Sequence, residues 1–113
     1  MLRKSLRLSK NKEFDQVFKI GHSFFGVFLG IKVAENHKKV NHFGVLVGLK
    51  VSKLAVERNL IKRRLKSILS GENKKLKQGY NIVVITKADI LVENYQDIKI
   101  ELKTGLQKLK LYV

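Results

Sequence analysis

Seven Lys or Arg side chains fall between Lys50 and Lys66, at Lys50, Lys53, Arg58, Lys62, Arg63, Arg64 and Lys66, with one acid, Glu57, among them. Cations at this density suit phosphate: each can donate charge-assisted hydrogen bonds to a phosphate oxygen and release condensed counterions as it does so. Asn59 adds a neutral amide to the group. Nothing in the chain offers comparable means for bond-making chemistry. Cysteine is absent, the three histidines (His22, His37, His42) all lie in the N-terminal half, and the nine acids are scattered. Two histidines flanking a loop without a Cys or carboxylate partner make a poor ligand set, so no protein-bound metal is expected. The eight glycines form neither a GxGxxG nor a P-loop pattern. No catalytic residue is assigned, and any reacting groups are expected to come from a partner.

The element that must carry these cations runs from Ser52 to Leu69. Leu54, Ile61, Leu65 and Ile68 are spaced seven, four and three apart, the repeat of one helix face. On a wheel of about 100° per residue, those residues and Leu69 fall within an arc of about 100°. Arg58, Asn59, Lys62, Arg63 and Lys66 occupy an adjoining arc of about 140°, and Glu57 falls outside it. Ser52 is the expected N-cap. A basic helix face is ordinarily solvated surface, but such faces interleave Glu with Lys for mutual support. This one has no acid to pair with, so its self-repulsion calls for a polyanion.

The remaining elements follow in order. Residues 1–9 form a basic arm, with Arg3, Lys4 and Arg7 exposed and Leu6 and Leu8 able to tuck in. Ser9 to Ile20 predicts a short helix ending at Gly21, with Phe14, Val17 and Phe18 on one face. Phe14 and Phe18 fit either core packing or stacking on the bases of an unpaired strand, given Lys12 and Lys19 beside them. From Ser23 to Ala34 the period changes to two, predicting one strand. Phe25, Val27, Leu29, Ile31 and Val33 form its apolar face; Phe24, Gly26, Phe28, Gly30 and Lys32 form a gapped face open to close approach. Residues 35–39 are expected to be a hairpin loop leading to a second strand at His42–Leu49. Gly79 to Lys87 is a third strand, and its run Ile82-Val83-Val84-Ile85 predicts a central place in the sheet. Asn94 with Asp97 resembles a capping box for a last helix, whose face is Tyr95, Ile98, Leu102, Leu106 and Leu109. Gly105 weakens that helix by up to about 1 kcal/mol relative to Ala. The order predicts one α+β domain over residues 1–113, a two-layer sandwich of a small mixed sheet with helices.

Composition bounds the partner. Net charge is +15 with a pI near 10.2, and phosphate backbones are the commonest counterpart of such an excess. An anionic membrane surface would require a helix with a wholly apolar lipid face, which the strands argue against. The basic N-terminus lacks the apolar run of a signal peptide, and no stretch approaches the ~18 apolar residues of a membrane span. A cytoplasmic protein with no membrane partner is expected.

The segment Ala55-Val56-Glu57-Arg58-Asn59-Leu60-Ile61-Lys62-Arg63-Arg64-Leu65-Lys66 resembles the signature helix of the bacterial ribonuclease P protein component. That motif runs Arg-Asn, a basic residue, an aliphatic, then further basic residues. NKEFDQVFKIG is similar to the family's N-terminal helix, Gly44 to Lys50 to its approach strand, and GYNIVVITK to its central strand. Leu60 departs from the motif where a basic residue is usual, and Leu49 where the first of two lysines is common. The resemblance implies a compact sandwich with a left-handed βαβ crossover, against the right-handed default. It implies binding to the catalytic RNA of ribonuclease P and help in removing the 5′ leader of precursor tRNA, with catalysis left to the RNA and its Mg²⁺. It further implies that Arg58, Asn59, Lys62, Arg63 and Lys66, extended by Lys50 and Lys53, contact the catalytic RNA. Phe14, Phe18 and Phe28 would then line a cleft for the single-stranded leader. A structural RNA-binding protein, such as a small ribosomal component, explains charge and fold equally well but not an aromatic cleft beside a basic helix. A DNA-binding helix module would need a second helix bracing the basic one, where strands are expected on both sides.

Overall fold

A computed structural model describes residues 4–88, 90 and 94–113; Arg3 of the expected basic arm lies outside them. A short turn of helix at Lys4–Leu6 precedes α1 (Asn11–Ile20), β1 (His22–Phe25), β2 (Leu29–Glu35), β3 (His42–Leu46), α2 (Ala55–Glu72), β4 (Tyr80–Thr86) and α3 (Tyr95–Lys108). One mixed sheet has the order β1-β2-β4-β3, antiparallel except for the parallel pair β3–β4. The α+β class therefore stands, and β4 is interior as its unbroken apolar run predicts.

Two sequence expectations need correction. The span Ser23–Ala34 is not one strand: it folds back at residues 26–28, so that Phe25 pairs with Gly30 and Phe24 with Ile31. The turn shifts the alternation by one residue. Phe24 packs on the main core, whereas Phe25 and Val27 are 73% and 65% exposed, the reverse of the single-strand reading. The turn is held from α3, whose Glu101 carboxylate accepts hydrogen bonds from the backbone N–H of Val27 and of Phe28, the latter at 2.7 Å. Lys87 Nζ donates to Gly26 O from the other side. The second correction concerns residues 36–41, which do not close a hairpin. β2 and β3 are separated by β4, which pairs with both.

The sheet divides the interior. On one side Leu29, Ile31, Val33, Phe43, Val45, Ile82 and Val84 meet Ile61, Leu65, Ile68 and Leu69 of α2 and Ile98, Leu102 and Leu106 of α3. On the other, Val17 of α1 and Leu8 of the arm cover Ala34 and Val83. Close approach is visible at two glycines. A Cβ on Gly105 would lie 2.6 Å from Ile31 Cδ1 and Phe24 Cδ2, and one on Gly44 would lie 2.7 Å from Phe14 Cε1. The arm runs alongside β3, bonded through Leu8 N–H to Phe43 O at 2.7 Å.

Candidate nucleic-acid interface

α2 begins at Ala55, three residues later than the expected cap at Ser52. Ser52 still organises the entry: its Oγ accepts from Leu54 N–H at 3.0 Å and donates to Glu57 Oε1 at 2.5 Å. The one acid in the helix's first turn is thus held by Ser52. Arg58 Nη1 donates to Ser52 O at 2.9 Å, which fixes the guanidinium near the helix start and leaves other N–H groups for a partner.

Asn59 and Arg63 are exposed; Lys62 and Lys66 are half-buried, their stems lying against the protein. Lys50 and Lys53 are exposed in the turns between β3 and α2. Among the described residues, the ion pairs are Lys38–Glu13 and Lys75–Glu72, so none of these seven groups is paired with a carboxylate. Burial, then repulsion from Arg7, then repulsion from Lys62, hold the Lys66 ammonium below the ordinary lysine pKa. Arg7 of the arm, Lys62 and Lys66 therefore share one crowded cationic field, and sequence reasoning had no means of placing Arg7 there. Leu60 turns away from it. With Glu57, Ile61, Arg64, Leu65, Ile90 and Ile98 it lines a cavity of about 190 Å³ on the opposite flank of the helix.

Across the sheet, α1 covers only part of its face. Phe14 is half-buried over Gly44, while Phe18 stays 40% exposed with Lys32 Nζ 5.6 Å from its ring centroid. Leu46, Ile85 and Gly30 continue this face along the row that pairs them. Phe14 and Phe18 are brought together beside an open sheet surface. Phe28 is not: it packs against the main core on the α3 side, because the 26–28 turn reverses the alternation. Lys32 was the missed member, and its signal was a lone cation in the apolar run Leu29–Ala34. The aromatic surface and the basic face of α2 lie on opposite sides of the sheet and approach one another around β3, where the arm passes.

A cationic helix face with no acid partner among the described residues, set on a four-stranded mixed sheet whose other face carries exposed rings and a lysine, has the make-up of a small nucleic-acid-binding domain. The ribonuclease P family model matches residues 2–110. A ribonuclease P protein component from Pseudanabaena sp. is 35% identical over 111 residues, 97% of this chain and 96% of that protein. One from Clostridium kluyveri is 38% identical over 108 residues, 94% and 96% of the two chains. The solved RNase P protein of Staphylococcus aureus superposes with a TM-score of 0.88 over 97% of this chain and 100% of its own, at 24% identity. That of Thermotoga maritima gives 0.78 over 87% and 92%, at 22% identity. Both have the same fold. The chain belongs to the ribonuclease P protein family.

Proposed function

We propose that this chain binds the catalytic RNA of ribonuclease P through α2 and the 5′ leader of precursor tRNA through the sheet face beside α1, acting in the cytoplasm. The observation that supports this reading is the cationic face of α2: among the described residues, Arg58, Lys62, Arg63 and Lys66 have no carboxylate to pair with. Folded RNA supplies phosphates at the spacing of such a face and relieves the repulsion around Lys66. Lys50 and Lys53 extend the contact at the helix entry. Phe14 and Phe18 offer rings to unpaired bases, and Lys32 lies within reach of the backbone that joins them. Among the described residues no group of three His, Asp or Glu side chains gathers to hold a metal ion, and none of their helices is long and apolar enough to cross a membrane. Hydrolysis in this scheme belongs to the RNA and the Mg²⁺ it binds; the protein's contribution is to hold substrate and to screen phosphate charge.

Single-turnover cleavage of a precursor tRNA by ribonuclease P RNA at low Mg²⁺, with and without the protein, tests the proposal. Addition of the protein should tighten substrate binding and raise the rate. Unchanged rate and affinity would leave a structural RNA-binding protein as the better reading.

A further inference from the structure

Phe25 is a large apolar side chain with no evident place in the core. It is 73% exposed on a four-residue strand, yet the turn that follows it is held in place, gripped by Glu101 through two N–H groups and by Lys87 at Gly26 O. Its ring has a defined seat. Phe25 pairs with Gly30, and Phe25 Cδ1 lies 4.0 Å from the point where a Cβ on Gly30 would be, so the ring leans over a residue without a side chain. Gly30 pairs in turn with Ile85, and Ile85 with Leu46, which puts the ring on the α1 side of the sheet. Lys32, two residues along β2 on the same face, sits about 7 Å away by strand geometry and contacts Phe18.

Three rings therefore mark a track across one sheet face: Phe14 over β3, Phe18 beside Lys32 of β2, and Phe25 at the outer strand β1. Three strand-to-strand steps make its length roughly 14 Å. We propose that Phe25 is a further base-stacking residue, which extends the leader-binding surface by a subsite at β1. This rests on the leader reading above. The occupant is an unpaired RNA strand rather than a second copy of the chain. The track is interleaved with Lys32 and bordered by exposed Lys87, cations that attract a phosphate backbone and repel another molecule of net charge +15.

The test uses holoenzyme reconstituted with ribonuclease P RNA and precursor tRNAs whose leaders are lengthened one nucleotide at a time. Wild-type affinity should rise with leader length in steps. Phe25→Ala should remove one late step, about tenfold, and leave shorter leaders unaffected; Phe25→Trp should keep it, and Phe25→Leu should lose it despite retained apolar bulk. Phe18→Ala should remove an earlier step. If wild-type affinity is independent of leader length, the leader reading itself fails and this subsite with it. If wild type and Phe18→Ala behave as stated while Phe25→Ala tracks wild type at every length, the subsite alone is refuted. A Phe25→Ala change confined to sedimentation behaviour would assign the ring to self-association and overturn the proposal.

Discussion

The acid-free face of α2 makes a quantitative demand on salt dependence, and Lys62→Gln is the perturbation that isolates it. Lys62 sits between Arg58 and Lys66 on the helix face and has no carboxylate partner among the described residues. Its removal should therefore disturb no ion pair within the protein. Each phosphate contact contributes about 0.9 to the slope of log affinity against log salt on duplex nucleic acid. If Arg58, Lys62, Arg63 and Lys66 each meet one phosphate as proposed, together they would account for a slope of about 3.6. Losing one should lower the measured slope by about 0.9, equivalent over a fourfold rise in salt to about a 3.5-fold smaller loss of affinity. Filter binding of labelled ribonuclease P RNA at fixed Mg²⁺ and varied monovalent salt gives the slope directly. Lys103→Gln on α3, also exposed, serves as the control and should leave the slope alone. An unchanged slope in Lys62→Gln, or an equal change in the control, would show that affinity reports overall charge and that α2 is not a docking face.

Other consequences follow from the same contacts. Lys66→Gln should raise the melting temperature of the free protein by up to a few degrees at low salt, through relief of repulsion from Arg7 and Lys62, and should weaken RNA binding. Because folding lowers the Lys66 pKa below 10.5, the unfolded chain binds more protons in that window, so wild-type stability should rise with pH there and the variant's should rise less. Gly105→Ala gains up to about 1 kcal/mol of helix propensity, yet its Cβ would meet Ile31 and Phe24 at 2.6 Å, an overpacking cost of about 1–3 kcal/mol. Urea unfolding should accordingly show a net loss; a gain would mean the α3–sheet contact relaxes freely. Tyr112 donates to the buried carboxylate of Glu72 at 2.7 Å, and burial, that bond and the carboxylate's charge all push the phenol's pKa upward. Tyr112→Phe should cost about 1–3 kcal/mol in the same assay, because among the described residues Glu72 is then left with Lys75 at 3.8 Å.

Features governed by short-range pattern were legible in the sequence. The apolar run of β4 marked an interior strand, and Asn94 caps α3 by accepting from the Asp97 N–H at Oδ1 at 2.9 Å, with its Nδ2 donating to the Asp97 carboxylate at 2.9 Å. The seam of Ile61, Leu65, Ile68 and Leu69 is buried as the helical spacing required, whereas Leu54, expected in the same face, precedes the first helical turn and is 63% exposed. Features that depend on a reversal of the chain were not. Gly26-Val27-Phe28 carries one turn-forming residue amid apolar neighbours, so the alternation reads straight through it. Every side chain before the turn was then assigned to the wrong face, and Phe28 to the wrong cleft. Pairing of β3 with β4 rather than β2 was equally hidden, because it depends on which strand fills the gap and not on any local sequence. Gly105 read as a helix weakness; only the packing of α3 on Ile31 and Phe24 explains why a smaller residue belongs there.

The arm laid against β3 has a bearing on how a chain this basic survives without its partner. A sheet that ends in bare backbone invites a neighbouring molecule to add a strand. At the β3 end that opportunity is reduced, since Leu8 already occupies the Phe43 carbonyl. At the other end the rim is β1, four residues long and tied at its turn to α3, too short a template for stable propagation. Protein synthesised ahead of its RNA would thus be discouraged from aggregating by backbone geometry as well as by like charge, and loosening the arm should make such protein stickier before it makes it less active.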